Sequence, residues 1–344
     1  MTQEKDLAQP SRPLGAVIGG GSWGTALADV LAQGGPVRMW ARSGEVVRSI
    51  NARHVNPRYQ SDALLHPRIQ ASLSLEEVAR DARLVTLVVP THVMRDVVTQ
   101  LRPYLHPEAL IISASKGIEN ESLSTMEELL SELLPEHRDQ LAFLSGPSFA
   151  QETLQKQATA VTIASRSLEV AERAQRWFRT QYFRVYTTDD VIGVELGGAL
   201  KNVIAIASGV ADGLGLGHNS RAALITRGVA EIARLGVAMG AHPLTLSGLS
   251  GVGDLILTCT GGLSRNRHVG VELGKGRQLE EILSAMGQVA EGVKTARSAY
   301  MLSQRQGVEM PITSEVYAML YESKDPKEVL LDLMGRDPRR EREH

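Results

Sequence analysis

Ala16-Val17-Ile18-Gly19-Gly20-Gly21-Ser22-Trp23-Gly24 decides the fold. Three apolar, strand-forming residues run directly into the spacing G-x-G-x-x-G, and helix-spaced apolar residues continue over residues 23–33. The first glycine, Gly19, permits a tight turn. The second, Gly21, lets backbone approach a pyrophosphate, and the third, Gly24, lets helix and strand pack closely. The helix then points its N-terminus, with Ser22 and Trp23 in the first turn, at the anion. A glycine turn alone only connects elements. With a strand before it and a helix after it, the turn reads as a dinucleotide cradle.

Outward from this turn the same alternation recurs. Short apolar or β-branched runs stand at residues 37–40, 84–89, 110–113, 141–144, 160–164 and 183–187, with helix-like spacing over 93–101 and 123–134 between them. Strands alternating with helices need crossover connections, so the first half predicts a parallel sheet. Past Asp190 the texture changes to long Ala, Gly and Leu-rich segments of helical period with almost no strand signal. The expectation is α/β: a Rossmann-like, doubly wound sheet domain over 13–189, followed by an all-α domain over 190–336. No Gly/Ser or Pro-rich linker separates them.

At 344 residues the chain suffices for two cores, and a net charge of −2 argues against a broad nucleic-acid surface. Cys259 is the only cysteine, which excludes an intrachain disulfide and a multi-thiolate zinc site and points to a reducing, cytoplasmic home. The nine histidines are scattered with no metal-ligand spacing, so no metal is expected. Uninterrupted apolar runs fall short of a membrane span, and residues 1–12 read as a polar tail.

The chemistry-bearing residues lie in separate motifs. Lys201 stands alone in the apolar stretch Val194-Glu195-Leu196-Gly197-Gly198-Ala199-Leu200-Lys201-Asn202-Val203. Burial there would lower its pKa toward the range of proton exchange, whereas a lysine whose stem lines the core and whose head reaches water would do nothing. Ser115-Lys116-Gly117 and Ser145-Gly146-Pro147-Ser148-Phe149-Ala150 each follow a strand, at the sheet edge where doubly wound folds hold ligands. Lys116 is therefore a candidate substrate contact or an exposed loop lysine. Gly253-Asp254 begins a segment that puts Asp254 and Thr258 on one helical face, unless Asp254 simply caps that helix. Ser264-Arg265-Asn266-Arg267 concentrates planar donors suited to a phosphate, and would equally serve a solvated basic loop. After the second strand comes Arg42-Ser43, which fits a ribose 2′-phosphate better than bare hydroxyls, so NADPH/NADP is expected over NADH/NAD. Glu45 is the alternative, contacting the hydroxyls instead. Gln288-Val289-Ala290-Glu291-Gly292 is the least informative motif on chemistry alone.

Taken in order, these motifs resemble those of bacterial NAD(P)-dependent glycerol-3-phosphate dehydrogenases, from about residue 14 to residue 335. The resemblance implies reversible NAD(P)H-dependent reduction of dihydroxyacetone phosphate to sn-glycerol 3-phosphate, supplying phospholipid synthesis in the cytoplasm. It implies Lys201 as proton donor and acceptor, with Lys116 and Asp254 as catalytic or substrate contacts. Gly146, Ser148, Asn202, Thr258, Ser264, Arg265 and Asn266 complete the expected substrate site. Gly19, Gly21, Ser22, Trp23, Gly24, Arg42, Lys116, Ala150, Arg265, Val289 and Glu291 would line the cofactor. The chain departs from the family in placing Trp23 where tyrosine or phenylalanine is common. Small-molecule substrate is the expected partner, with no nucleic acid and no integral membrane segment, and a homodimer is the assembly this reading allows.

Overall fold

The computed structural model describes residues 13–286, 290–337 and 340. The chain divides into two compact units whose main boundary falls between Val191 and Ile192. The sequence reading assigned all of 13–189 to the first domain, but Lys116–Met126 and Ser145–Pro147 cluster with the second unit. Both segments leave a strand end, so chain order gives no hint of the change.

In the first unit β1 Gly15–Ile18 leads to α1 Ser22–Ala32, β2 Val37–Trp40, α2 Gly44–Arg53 and β3 Ile69–Ser72. Then come α3 Leu75–Ala79, β4 Leu84–Leu87, α4 Met94–Leu101, β5 Leu110–Ser113, α5 Met126–Leu133 and β6 Leu141–Ser145. The series ends with α6 Ala150–Leu154, β7 Thr159–Ala164, α7 Leu168–Phe178 and β8 Phe183–Thr188. The sheet order is β3-β2-β1-β4-β5-β6-β7-β8, which reverses direction at β1 and β4. Doubly wound sheets place ligands at such a switch point. Ile18 pairs in parallel with Trp40 on one side and Leu87 on the other. Strands β1, β4, β5 and β6 are buried along their whole length, as a sheet covered on both faces requires.

The strand β3 has no counterpart in the sequence reading. Ile69-Gln70-Ala71-Ser72 offers one branched residue and is only four long, too little signal for a strand. Its outer edge is blunted by Asn51, which donates to the Ala71 carbonyl at 2.9 Å and accepts from the Ala71 N–H at 2.7 Å. An amide side chain thus stands in for a ninth strand. The run expected over 84–89 closes at Leu87, and the helix expected from residue 123 begins at Met126 because Leu123 takes φ 60°.

The second unit is helical: α8 Val191–Gly213, α9 His218–Ala238, α10 Pro243–Leu246, α11 Asp254–Thr260, α12 Arg265–Gly274, α13 Leu279–Met286, α14 Glu291–Gln306, α15 Pro311–Tyr321 and α16 Pro326–Met334. A π-helical turn, Leu249–Gly253, runs into α11. Its core gathers around α8, from Leu196 through Val210. By length and composition α8 could cross a membrane, contrary to the count of uninterrupted runs, but 89% of its apolar window is buried inside the protein. It is a core helix. α12 packs backbone to backbone on α8, since a Cβ on Gly209 or Gly270 would strike the other helix's carbonyl oxygen. Glu231 of α9, 1% exposed, accepts the N–H groups of Ile312 and Thr313 and the Thr313 hydroxyl, and so caps α15 from the side. Burial pushes its carboxyl up to about 7 against those donors.

Candidate active site

Two places carry chemistry, one in each unit. In the first, the glycine turn adopts the geometry its spacing predicts. Gly19 takes φ +137°, and a Cβ on Gly24 would fall inside the Gly19 carbonyl oxygen. Gly21 is the N-cap of α1, and a Cβ there would meet nothing within 4 Å. A glycine cap brings no side-chain acceptor, so the first N–H groups of α1 stay available to an anion. The residues present therefore fit the pyrophosphate of a dinucleotide. Trp23 packs against Phe183 at 6.5 Å, and its indole N–H is buried with no partner among the described residues. Arg42 is exposed on the turn after β2, and Ser43 caps α2 by accepting from the Val46 N–H. Glu45 is also exposed, in the first turn of α2. Ala150 opens α6 and Ser148 precedes it, both partly exposed.

In the second unit, α8 brings Lys201 and α11 brings Asp254 and Thr258 to one point. Lys201 Nζ donates to Asp254 Oδ1 at 2.6 Å and to Thr258 Oγ1 at 2.9 Å. Lys116 Nζ donates to the other carboxylate oxygen of Asp254 at 2.6 Å and to the Gly146 carbonyl at 3.1 Å. One carboxylate, 1% exposed, thus bridges two lysines. The question of Asp254 as a cap is answered here, because Gly253 holds the N-cap position and the Asp254 side chain faces the lysines. Thr258 is one turn on, its hydroxyl donating to the Asp254 carbonyl at 2.6 Å and leaving a lone pair for Lys201.

Burial dominates the Lys201 ammonium and brings it down to about 8. The Asp254 charge opposes that fall, and the like charge of Lys116 adds to it. A lysine so balanced gives up and regains a proton near neutrality, which a solvated one does not.

The phosphate-type motif lies at the start of α12. Ser264 is its N-cap, accepting from the Arg267 N–H at 3.2 Å, and Arg265 is exposed beside it. Asp212, at the end of α8, accepts from both Arg221 and Arg267 and so ties α12 to α8 and α9. Neither Asp212 nor this tie was found from sequence, where Arg267 read as one more loop donor. Asn202 and Asn266 are both buried and joined by a 2.9 Å hydrogen bond. Glu291 opens α14, where burial raises its carboxyl while the charges of Arg265, Lys116 and Lys201 pull it down. Arg265, Glu291 and both lysines therefore share one electrostatic neighbourhood. Val289 lies outside the described residues.

Ser145 belongs to the turn motif read from the sequence, which gives it no role of its own. Its hydroxyl is buried without a partner among the described residues and would stand 2.4 Å from a Cβ on Gly198, a position also 3.6 Å from the Lys116 Cδ. Only the packing of Ser145 against Gly198 of α8, within the second unit, reveals it.

A family model for the N-terminus of NAD-dependent glycerol-3-phosphate dehydrogenase matches residues 15–171, and one for its C-terminus matches residues 190–331. The glycerol-3-phosphate dehydrogenase [NAD(P)+] of Myxococcus xanthus is 55% identical over 329 residues, covering 95% of this chain and 98% of its own. That of Geobacter metallireducens is 54% identical over 95% of this chain and 98% of its own. The crystal structure of glycerol-3-phosphate dehydrogenase from Coxiella burnetii superposes with a TM-score of 0.90 at 38% identity, covering 95% of this chain and 100% of its own.

Proposed function

The chain belongs to the NAD-dependent glycerol-3-phosphate dehydrogenase family, and from that premise we propose that it reduces dihydroxyacetone phosphate reversibly to sn-glycerol 3-phosphate. The observation that carries this reading is the buried Lys201, hydrogen-bonded to Asp254 and Thr258 and brought down to about 8. When bound, NADPH or NADH supplies the hydride that adds to the ketone carbon. As that carbon is reduced, its oxygen gains charge and must be protonated. Lys201 in its ammonium form gives that proton, and in the reverse direction neutral Lys201 takes the hydroxyl proton.

Asp254 holds the Lys201 head in place and offsets part of the cost of burying it. Lys116 lends a second positive charge to the forming alkoxide, and Gly146 and Ser148 are further expected substrate contacts. Arg265, supported by Ser264, Asn202 and Asn266, anchors the phosphate, and this remote binding energy fixes the carbonyl for reaction. Gly19, Gly21, Gly24 and Ser22 hold the pyrophosphate, and Arg42 the 2′-phosphate, so NADPH is the preferred donor. The family resemblance makes Trp23, Ala150 and Glu291 further expected cofactor contacts. The enzyme supplies phospholipid synthesis in the cytoplasm; the buried free thiol of Cys259 suits a reducing compartment.

The test follows NADPH and NADH absorbance when the purified protein meets dihydroxyacetone phosphate, with dihydroxyacetone as the control. Oxidation that depends on the phosphate is expected. Equal rates with both ketones would move the substrate to a phosphate-free hydroxy compound, and no oxidation with either would remove the assignment.

A further inference from the structure

Asn266 commits its side-chain oxygen and one amide hydrogen to the protein. Its Oδ1 accepts the backbone N–H of Gly292 at 2.9 Å, and its Nδ2 donates to Asn202 Oδ1 at 2.9 Å. These bonds fix the orientation of both amides. A backbone N–H can only donate, so the atom facing Gly292 must be the Asn266 oxygen. The Asn266 nitrogen then faces Asn202, and because that nitrogen is only a donor, Asn202 must meet it with oxygen. The Asn202 Nδ2 is left turned away, with no protein partner among the described residues.

The relay exists because residue 292 is glycine. A Cβ there would stand 2.7 Å from the Asn202 carbonyl oxygen and 2.8 Å from Asn266 Oδ1, so any side chain would push the N–H off its acceptor. Turning either amide over would bring two donors face to face in a buried place, Asn202 being 5% and Asn266 8% exposed.

We infer that Asn266 is a positioning residue, locked by the Gly292 N–H, that holds the Asn202 amide with its NH2 toward the substrate. The inference rests on the dehydrogenase reading of this site. Asn202 follows Lys201 on α8, and Arg265 precedes Asn266 on α12, so the relay joins the two elements that carry the acid and the anchor. The phosphate and carbonyl oxygens of dihydroxyacetone phosphate accept hydrogen bonds. An Asn202 fixed as a donor binds them, and an Asn202 turned over presents oxygen to oxygen.

Asn266→Asp is the sharpest probe. Aspartate still accepts from Gly292 but cannot donate to Asn202, which must turn its NH2 inward to meet the carboxylate. KM for dihydroxyacetone phosphate should rise about tenfold or more, the loss of a charge-assisted hydrogen bond, with Kd for NADPH unchanged. Calorimetric titration with sn-glycerol 3-phosphate in the presence of NADP should show the same weakening. Asn202→Asp keeps the acceptor for Asn266 and the local packing yet removes the donor, so it should weaken the substrate as much, and it serves if Asn266→Asp lowers the melting temperature. The double variant Asn202→Ala/Asn266→Asp should be within about twofold of Asn202→Ala alone, since coupled residues do not add. Additive losses, or an unchanged KM in Asn202→Asp, would overturn the relay. Failure of the unsubstituted enzyme to bind sn-glycerol 3-phosphate would instead overturn the reading beneath it.

Discussion

The glycine turn before α1 and the charged cluster around Asp254 are made in opposite ways. The turn is six consecutive residues whose function depends on side chains that are missing: Gly21 leaves open space and Gly24 lets the helix start against the Gly19 carbonyl. The cluster is made of charged side chains brought together from afar, Lys116 and Lys201 standing 138 and 53 residues from Asp254 in the chain. A site made by subtraction should fail when an atom is added. A site made of interacting charged side chains should fail when the head group that carries the proton is removed.

The largest effect should come from the cluster. Lys201→Met keeps the stem's volume and leaves Asp254 paired to Lys116, so fold and cofactor affinity should survive while kcat for ketone reduction falls about 10²- to 10⁴-fold. Stopped-flow turnover beside a calorimetric Kd for NADPH separates the two. The unsubstituted enzyme should show the same group in its pH dependence. With Lys201 at about 8, reduction needs the ammonium and should decline above about pH 8, whereas oxidation of sn-glycerol 3-phosphate needs the amine and should climb until about pH 8 and then level. Mirror-image limbs in the two directions identify one acid–base group. Limbs that move together, or a Lys201→Met protein with ordinary turnover, would take Lys201 out of the reaction.

The contrast between contiguous and assembled sites also explains what the sequence revealed. The cradle was legible because strand, G-x-G-x-x-G and helix are neighbours in the chain, and each glycine's task follows from local backbone sterics. Lys201 was legible as an anomaly, one charge in an apolar helix, and Asp254 with Thr258 as a pair at helical spacing. Their meeting was not, since nothing local says that α8 and α11 touch. The family resemblance named the participants, but the bridging carboxylate, the Ser264 cap and the Gly292-Asn266-Asn202 chain are facts of packing. So is the Asp212 tie, whose aspartate sits in an unremarkable Ala-Asp-Gly run. β3 was missed for a related reason: its place in the sheet is secured by β2 and by Asn51, not by its own composition.

Two alanines in the glycine turn should split the cradle's roles. At Gly24 the added methyl meets backbone, so the first unit itself should be destabilised and its melting temperature lowered. At Gly21 the same methyl enters open space, so the melting temperature should stay put while Kd for NADPH and NADH rises about ten- to a hundredfold, the worth of one charge-assisted N–H to phosphate bond. Thermal melts with and without cofactor distinguish the outcomes. If Gly21→Ala binds as tightly as the unsubstituted protein, the pyrophosphate does not lie over the α1 N-terminus, and the contrast with the charged cluster loses its first half.

The smallest effect concerns Arg42, which belongs to neither mode of construction. It is a single exposed charge on a turn, so its attraction for a 2′-phosphate is screened by solvent and salt. Arg42→Ala should therefore lower the NADPH-to-NADH ratio of kcat/KM about five- to tenfold, through the NADPH value alone, as expected for an exposed charge-assisted contact at the weak end of its range. Raising the salt should shrink the ratio of the unsubstituted enzyme toward that of the variant. The alternative at this turn is Glu45, exposed in the first turn of α2, receiving the ribose hydroxyls. In that case Glu45→Gln, not Arg42→Ala, changes the ratio, and it does so by weakening NADH. The two variants measured side by side at low salt assign the cofactor preference to one residue, and a ratio unmoved by either would place it outside this turn.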